Sequence, residues 1–379
     1  MVATGRRWAT GWRLLALTTV AACTRPISLS KGRDAGADAA PVALAMIHYL
    51  GRFDRRDPAG PRFAWPGTGI AATFEGTGLN VTLADTGANL LVVVVDGGAA
   101  TTVATSGPAR TYTLASNLPA RPHTVMLTKR TEASFGVLQL LGLAPEGGAL
   151  IPSASPFARR IEYLGDSITC GYGDLGDGPA CHFTADTEDE TVAYGGLAAA
   201  ALAAEPSVIA YSGKGMYRDY QSRATDSMPV LFDRALPDDP TSAWGFATPP
   251  PDVVVINLGS NDFAQGDPGP PFVQAYATFL EQLRRHYPET QVICALPPTM
   301  TDPDRVLAAG YLQGVVQRAR AAGDARVSTL EIRVEGGAVF GFQPRLASDG
   351  WGCDHHPSVT TQRRMGIELA AAIPRIVGW

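Results

Sequence analysis

The sequence predicts two folded domains, an all-β sandwich followed by an α/β domain with a central parallel sheet. Short apolar stretches separated by Gly-rich turns fill residues 46–150, and from residue 158 onward strand patterns alternate with helical ones. The chain has 379 residues, 45% of them hydrophobic, which is enough for two cores. The formal net charge is only −5, without a basic stripe, so nucleic acid is not an expected partner.

Residues 1–23 have the pattern of an export signal. A basic segment at residues 6–13 precedes an apolar run that is too short to span a bilayer and that ends in small residues before Cys23. This is the pattern of a bacterial lipobox, so we expect an exported cell-envelope lipoprotein anchored through lipid on Cys23. Plain secretory cleavage and a retained membrane anchor are the alternatives. Residues 24–45, rich in Ala, Asp, Gly and Pro, are expected to be a flexible tether.

Residues 46–152 are predicted to form the β-sandwich. Turns separate its apolar stretches, with no helical pattern between them: Ile70–Phe74, Leu79–Leu83, Asn89–Val95, Thr111–Leu114, His123–Leu127 and Val137–Leu141. If exposed, Phe63, Trp65 and Phe74 would offer a surface for sugar rings, although aromatic residues in sandwiches more often belong to the core. The charged residues 129–132 either reach the domain interface or form a solvated edge.

Residues 153–379 are predicted to form the α/β domain, which begins after the Pro-rich boundary at 151–156. Its expected strands lie at 161–164, 207–211, 252–258, 291–295 and 327–332, and its expected helices include 192–204, 272–286 and 304–322. Such alternation indicates parallel strands joined by crossover helices. Sites in these sheets form at the carboxyl ends of the strands.

Four sequence blocks fall at such ends or near the C-terminus. Ser167 follows the first strand in Gly-Asp-Ser, Gly213 follows the second, and Asn261 follows the third in Gly-Ser-Asn-Asp; His356 stands in Asp-His-His-Pro. A serine hydroxyl needs a neutral imidazole to take its proton before it attacks a carbonyl. Amide donors then stabilise the negative oxygen that forms. The four blocks therefore predict nucleophilic ester chemistry.

In this order, the blocks resemble those of the SGNH, or GDSL-type, hydrolases. Within that superfamily the chain is similar to carbohydrate esterase family 2 over residues 46–379, in the segments Gly165–Gly173, Cys181–Phe183, Ser212–Arg218 and Gly352–Pro357. The resemblance implies a flavodoxin-like three-layer α/β/α domain behind a jelly-roll sandwich. It implies Ser167 as nucleophile, His356 as base, and Ser167 N–H, Gly213 and Asn261 as oxyanion donors. Gly215 is the less favoured choice for the glycine.

The third member of the triad stays open. Most SGNH hydrolases place an aspartate three residues before the histidine, where this chain has Cys353, and Asp354 lies only two residues before it. Asp354 orients His356 through its carboxylate or through its backbone carbonyl, and either would fix the tautomer. Asp349 is a weaker candidate. Some members of the resembled family use a Ser-His dyad.

No cofactor is expected, because the adjacent His355 and His356 make a poor tetrahedral metal site by themselves. Export permits disulfides. With Cys23 set aside, the favoured pairs are Cys170 with Cys181 and Cys294 with Cys353, although four cysteines allow three connectivities.

The resemblance implies a carbohydrate O-acetylesterase that acts on xylan, mannan or glucomannan. The candidate sugar-binding aromatics near the strand ends are Tyr172, Tyr217, Phe263 and Trp351. A lipase or arylesterase of the same superfamily and a non-catalytic carbohydrate-binding lipoprotein are the alternatives.

Overall fold

The computed structural model describes residues 33–34, 46–152, 155–247, 249–296, 299–300, 302–332 and 350–379. The predicted export signal with Cys23, most of the predicted tether and Asp349 lie outside the described residues. Among the helices in the described ranges, none combines the length and apolar character needed to cross a membrane.

The N-terminal region is a nine-stranded sheet in which every neighbouring pair runs antiparallel. Its strands are β1 (Arg33–Asp34), β2 (Ile47–Leu50), β3 (Arg62–Phe63), β4 (Gly69–Gly76), β5 (Gly78–Val95), β6 (Thr101–Ala115), β7 (Arg121–Lys129), β8 (Leu138–Glu146) and β9 (Leu150–Ile151). The long strand β5 pairs with β6 along most of its length, with β8 in its first half and with β7 in its second. The sheet thereby folds over a single apolar core.

The expectation of an all-β domain is confirmed, with two differences in detail. The stretches Leu79–Leu83 and Asn89–Val95 are one strand, because bulges between Leu83 and Ala88 carry the chain through without ending it. Phe63 and Phe74 are buried in the sheet's core, and Trp65 is buried against the second domain. These three rings are therefore packing residues and offer no exposed surface to a sugar.

The second region has a five-stranded parallel sheet. Its strands are β10 (Arg159–Gly165), β11 (Ala204–Ala210), β12 (Val253–Asn257), β13 (Gln291–Leu296) and β14 (Val327–Glu331), in the order β11-β10-β12-β13-β14. The helices are α1 (Ser167–Cys170), α2 (Tyr194–Ala201), α3 (Met228–Leu231), α4 (Ser260–Phe263), α5 (Pro270–His286), α6 (Asp304–Ala321) and α7 (Val359–Val377).

Helices cover both faces of this sheet because alternate residues of each buried strand point to opposite sides. On one face, Leu164 and Ile256 pack with residues of α5 and α6 such as Phe272. On the other, Tyr163 packs with α2 and α7 residues such as Leu369. The predicted three-layer α/β/α architecture is confirmed.

Buried charges join the two domains. Arg52, only 1% exposed, pairs with Glu162 of β10 at 3.2 Å between Nη2 and Oε2. Arg130 donates from Nε to the carbonyl of Glu188 at 2.6 Å. Lys129, Arg130 and Glu132 are all buried, so residues 129–132 reach the domain interface and the solvated-edge alternative is wrong.

Candidate active site

The ends of three neighbouring strands lie level in the sheet. Gly165 at the end of β10 is paired with Ala210 of β11 on one side and with Asn257 of β12 on the other. Ser167, Gly213 and Asn261 follow these residues by two, three and four positions. Parallel pairing therefore brings to one edge of the sheet three residues that are far apart in the sequence.

Ser167 begins the four-residue helix α1. The Asp166 carboxylate caps this turn by accepting from the Ile168 N–H at 3.1 Å. Gly165 is required just before it, since a Cβ there would lie 1.9 Å from Thr169 Oγ1. The Gly-Asp-Ser triplet is thus a tight strand-to-helix turn that leaves the Ser167 side chain 8% exposed.

His356, the predicted base, lies in contact with Ser167. Its Nε2 lies 2.8 Å from Ser167 Oγ, and its Nδ1 lies 3.1 Å from the backbone carbonyl oxygen of Asp354. The carbonyl can only accept, so Nδ1 carries the proton and Nε2 is left free to accept from the serine hydroxyl. Burial lowers the pKa of His356 below its ordinary value, which keeps the ring neutral near pH 7.

The Asp354 carboxylate points away from His356. It accepts from the Phe183 N–H at 3.0 Å and from the Tyr172 hydroxyl at 3.2 Å, and it lies 3.2 Å from His182 Nδ1. The backbone explains this, because Asp354 has φ 49° and ψ 39°, in the left-handed region that aspartate tolerates better than most residues. Of the two predicted ways to orient His356, the geometry matches the carbonyl.

A disulfide fixes the loop that carries His356. Cys181 and Cys353 are bonded, Cys353 N–H donates to the Gly173 carbonyl at 2.8 Å, and Asp354 N–H donates to the Cys181 carbonyl at 3.0 Å. Gly173 has φ 65°, and a Cβ there would lie 2.9 Å from Cys353 Cβ. The loop of His356 is therefore fastened to the segment that follows α1.

The predicted cysteine pairs are wrong. Cys170 and Cys294 are free and buried, because their side chains belong to the cores on opposite faces of the parallel sheet. Cys181 and Cys353 instead meet outside these two clusters, in the loop before His356. The predicted strands favoured Cys170 with Cys181, as a closure of the loop after Ser167, but Cys181 is bonded to Cys353 instead.

Asn261 lines the same cleft as Ser167, and Gly213 follows the end of the strand next to β10. The Asn261 amide nitrogen donates to the Lys214 carbonyl at 2.8 Å and to Asp166 Oδ2 at 3.2 Å. Burial raises the pKa of Asp166 to about 7. Gly213 has φ 78°, and the Tyr220 ring lies 2.9 Å from the position a Cβ would take. Only glycine meets both conditions at this point of the loop.

Asp262 holds the loop that carries Gly213 and was not assigned a role from the sequence. Its carboxylate accepts three backbone N–H bonds, from Met216 at 2.8 Å, Tyr217 at 2.7 Å and Arg218 at 3.0 Å. Burial nevertheless raises its pKa to about 6. Its place directly after Asn261 in the third block was the one sequence signal for it.

A cleft of about 460 Å³ opens over Ser167 and His356, and its lining also includes Asn261, Phe263, Met300 and His355. Of the four predicted sugar-binding aromatics, Phe263 borders this cleft but is only 4% exposed and belongs to the core that contains α5. Tyr172 stacks on Phe183 at 3.7 Å and packs against the His356 ring at 4.2 Å between ring centroids. Tyr217 and Trp351 pack against the two cores of the α/β domain instead.

Family models match both domains. The carbohydrate esterase 2 N-terminal model matches residues 49–154, and the GDSL-like lipase/acylhydrolase model matches residues 163–364. A solved structure of a family two carbohydrate esterase from Clostridium thermocellum, in complex with cellohexaose, is 34% identical to the chain with a TM-score of 0.81. The alignment covers 88% of this chain and 99% of that one. The chain belongs to carbohydrate esterase family 2.

Two curated relatives of this family 2 esterase are informative. Cellulase/esterase CelE of Acetivibrio thermocellus is 35% identical over 336 residues, 88% of this chain, but the chain spans only 40% of that relative's length. An acetylxylan esterase/glucomannan deacetylase of Cellvibrio japonicus is 23% identical, covering 88% of this chain and 89% of the relative.

Within the described ranges of this family 2 esterase, one group of side chains has the spacing of metal ligands. Ligand-type atoms of Glu132, Cys170 and Glu188, all buried, lie within 4.8 Å of one another. They lie at the domain interface behind α1 and do not line the cleft. Sequence reasoning missed this group because its members come from both domains.

Proposed function

We propose that the protein is a serine esterase that removes O-acetyl groups from cell-wall polysaccharides such as xylan and glucomannan. The observation that carries this proposal is the 2.8 Å contact between Ser167 Oγ and His356 Nε2 at the base of an open cleft. The names of the family 2 relatives support the class of substrate.

In the acylation step, Ser167 Oγ attacks the acetyl carbonyl carbon while His356 Nε2 takes the hydroxyl proton. The carbonyl double bond opens, and the electron pair moves onto the oxygen. As the tetrahedral intermediate collapses, His356 returns the proton to the sugar oxygen, which leaves as a hydroxyl. The Asp354 carbonyl stabilises the imidazolium through the Nδ1 proton.

The proposed oxyanion donors are the Ser167 N–H, the Gly213 N–H and the Asn261 amide. The Asn261 amide nitrogen already contacts Lys214 O and Asp166 Oδ2. Because the two N–H bonds of the amide share one rigid plane, a small shift of the whole Asn261 side chain would turn one of them from Asp166 toward the acyl oxygen. Removal of an oxyanion-hole donor of this kind typically raises the barrier by about 3 kcal/mol.

Deacylation repeats the cycle with water. His356 takes a proton from the water that attacks the acetyl-serine carbonyl, and then gives it to Ser167 Oγ as acetate leaves. No cofactor takes part in these steps. His355, exposed at the rim of the cleft, is the proposed contact for the sugar.

Acetate released from acetylated xylan and acetylated glucomannan tests this function. We expect release by the parent protein, loss of at least about 1,000-fold in Ser167→Ala, and no loss in Ser328→Ala, a serine of β14 in the same domain. Equal release by Ser167→Ala would overturn the proposal. A higher kcat/KM for 4-nitrophenyl decanoate than for 4-nitrophenyl acetate would favour the lipase alternative. Polysaccharide binding without turnover would favour the non-catalytic binding protein.

We also propose that the protein is exported and lipid-anchored through Cys23, on the pattern of residues 1–23. Expression of the full chain in a bacterium with metabolic labelling by an alkyne fatty acid tests this. We expect label in the membrane fraction of the parent and none in Cys23→Ala. Label-free parent protein in the culture medium would indicate plain secretion.

A further inference from the structure

One carboxylate of the β domain contacts both halves of the reaction centre. Glu132 lies in the turn after β7, is 2% exposed, and accepts from the Ser212 N–H at 2.9 Å through Oε2. The Cys170 thiol points at the same oxygen, with Sγ at 3.8 Å. Ser212 directly precedes Gly213, and Cys170 ends the helix that Ser167 begins. Glu132 therefore bridges the oxyanion loop and the nucleophile helix.

Glu132 is itself held rigidly. Its backbone N–H donates to Glu188 Oε2 at 2.8 Å, and its carbonyl accepts from Lys129 Nζ at 2.6 Å. Arg130 fastens the segment of Glu188 through that residue's carbonyl. With backbone and side chain both engaged in a buried interface, the carboxylate cannot follow a shift of the Ser212 loop, so it sets that loop's position.

We propose that Glu132 is a positioning residue of the active site, through which the β domain holds the Ser212–Gly213 backbone in register with Ser167. The inference rests on the proposed esterase function and deepens it. It gives the N-terminal domain a part in catalysis that is separate from sugar binding. Glu132 acts through Ser212 and Cys170 and does not touch the substrate.

A bound metal ion is the competing interpretation, because Glu132, Cys170 and Glu188 have ligand spacing. Three observations favour positioning. The Glu132 oxygen that faces Cys170 already accepts a backbone hydrogen bond. The buried Lys129 ammonium already supplies a positive charge near both glutamates, so their charge is compensated without a metal ion. The Cys170 side chain packs in the apolar core on one face of the parallel sheet, and its thiol already donates toward Glu132 Oε2.

The test compares Glu132→Ala and Glu132→Gln with a control variant, Asp239→Asn. The control weakens a remote contact between the domains, the ion pair of Asp239 with Arg56 at 2.8 Å. Steady-state hydrolysis of 4-nitrophenyl acetate gives kcat and KM. We expect Glu132→Ala to lower kcat about 10- to 100-fold with KM within about twofold, because a small displacement of a donor costs that much. Glu132→Gln keeps an acceptor for Ser212 and should stay within about fivefold of the parent, as should Asp239→Asn.

A purely structural role would lower the melting temperature of Glu132→Ala and leave kcat unchanged at 25 °C, and that result would overturn the inference. If Glu132→Ala does not fold, Glu132→Asp is tested in its place, because the shorter side chain keeps the charge but cannot reach Ser212. A parent-like kcat in Glu132→Asp would overturn the inference. Activity that falls with EDTA and returns with Zn²⁺ would replace it with a metal site.

Phosphorylation of Ser167 by diethyl 4-nitrophenyl phosphate separates this inference from the proposed function. The rate of that reaction depends on the serine, the imidazole and the oxyanion donors but needs no polysaccharide. If the parent is labelled yet releases no acetate from any polymer, the proposed function fails while slower labelling of Glu132→Ala still supports the inference. Equal labelling rates for the parent and Glu132→Ala would overturn it.

Discussion

Replacing Asp354 by asparagine tests how the base is oriented. In the structure, His356 Nδ1 faces the backbone carbonyl of Asp354 at 3.1 Å, and the carboxylate instead accepts from Phe183 and Tyr172. Asparagine tolerates the left-handed conformation of this residue, and its side-chain oxygen can accept the same two bonds. The carbonyl that orients the imidazole is therefore unchanged in Asp354→Asn.

The expected magnitude follows from that geometry. Where a carboxylate is the true partner of the imidazole, its replacement by the amide costs about 10⁴ in kcat, or roughly 5.5 kcal/mol of barrier. Here only the long-range effect of the charge is lost, so we expect kcat to fall by less than about tenfold, or about 1.4 kcal/mol. Ser167→Ala in the same assay sets the scale of full loss.

The pH dependence of kcat/KM is a second measurement, for which the direction of the shift is also predicted. The reaction needs neutral His356, so activity is lost as pH falls through the pKa of this residue. Burial, the largest effect, lowers that pKa, whereas the Asp354 carbonyl bond and the Asp354 charge raise it. Removing the charge should therefore move the acid limb of the profile to lower pH in Asp354→Asn.

The assay is 4-nitrophenyl acetate hydrolysis by parent and variant between pH 4 and 8, with melting curves to confirm folding. A folded Asp354→Asn protein that loses a thousandfold or more in kcat would refute the carbonyl-oriented dyad. An acid limb that moves to higher pH would contradict the electrostatic argument even if kcat were retained.

Three further predictions concern the surroundings of this pair. Asn261→Ala should lower kcat about 100-fold or more with little change in KM, measured on 4-nitrophenyl acetate, and an effect on KM alone would contradict its role as an oxyanion donor. Gly213→Ala should lower kcat about tenfold or more, because the added Cβ meets Tyr220 and φ is 78°; a crystal structure with an unshifted loop and full activity would contradict this. Cys353→Ser, which breaks the bond to Cys181, should lower the free energy of unfolding by about 2–4 kcal/mol in chemical denaturation, and parent-like stability would show that the disulfide is not formed.

The fold was largely predictable because its signals are local. Apolar strand patterns that alternate with helical ones identified the five strands of the parallel sheet. The short turn after Gly165 identified Ser167. Element ends were less accurate: the helix expected over 192–204 is only Tyr194–Ala201, since Ala204 already pairs with Arg159 of the sheet. Pairing with a distant strand ended that helix, and a local pattern does not report such a partner.

The order of residues along the chain determined the class of chemistry: a strand-end serine, a glycine, an asparagine and a late histidine, each of a type that ester hydrolysis requires. Folding decided the contacts among them. The Cys181–Cys353 bond, the use of the Asp354 carbonyl and the reach of Glu132 across the domain interface all depend on which surfaces meet and which backbone angles a loop must adopt. Distances between segments so far apart in sequence are set by packing, and no local pattern encodes them.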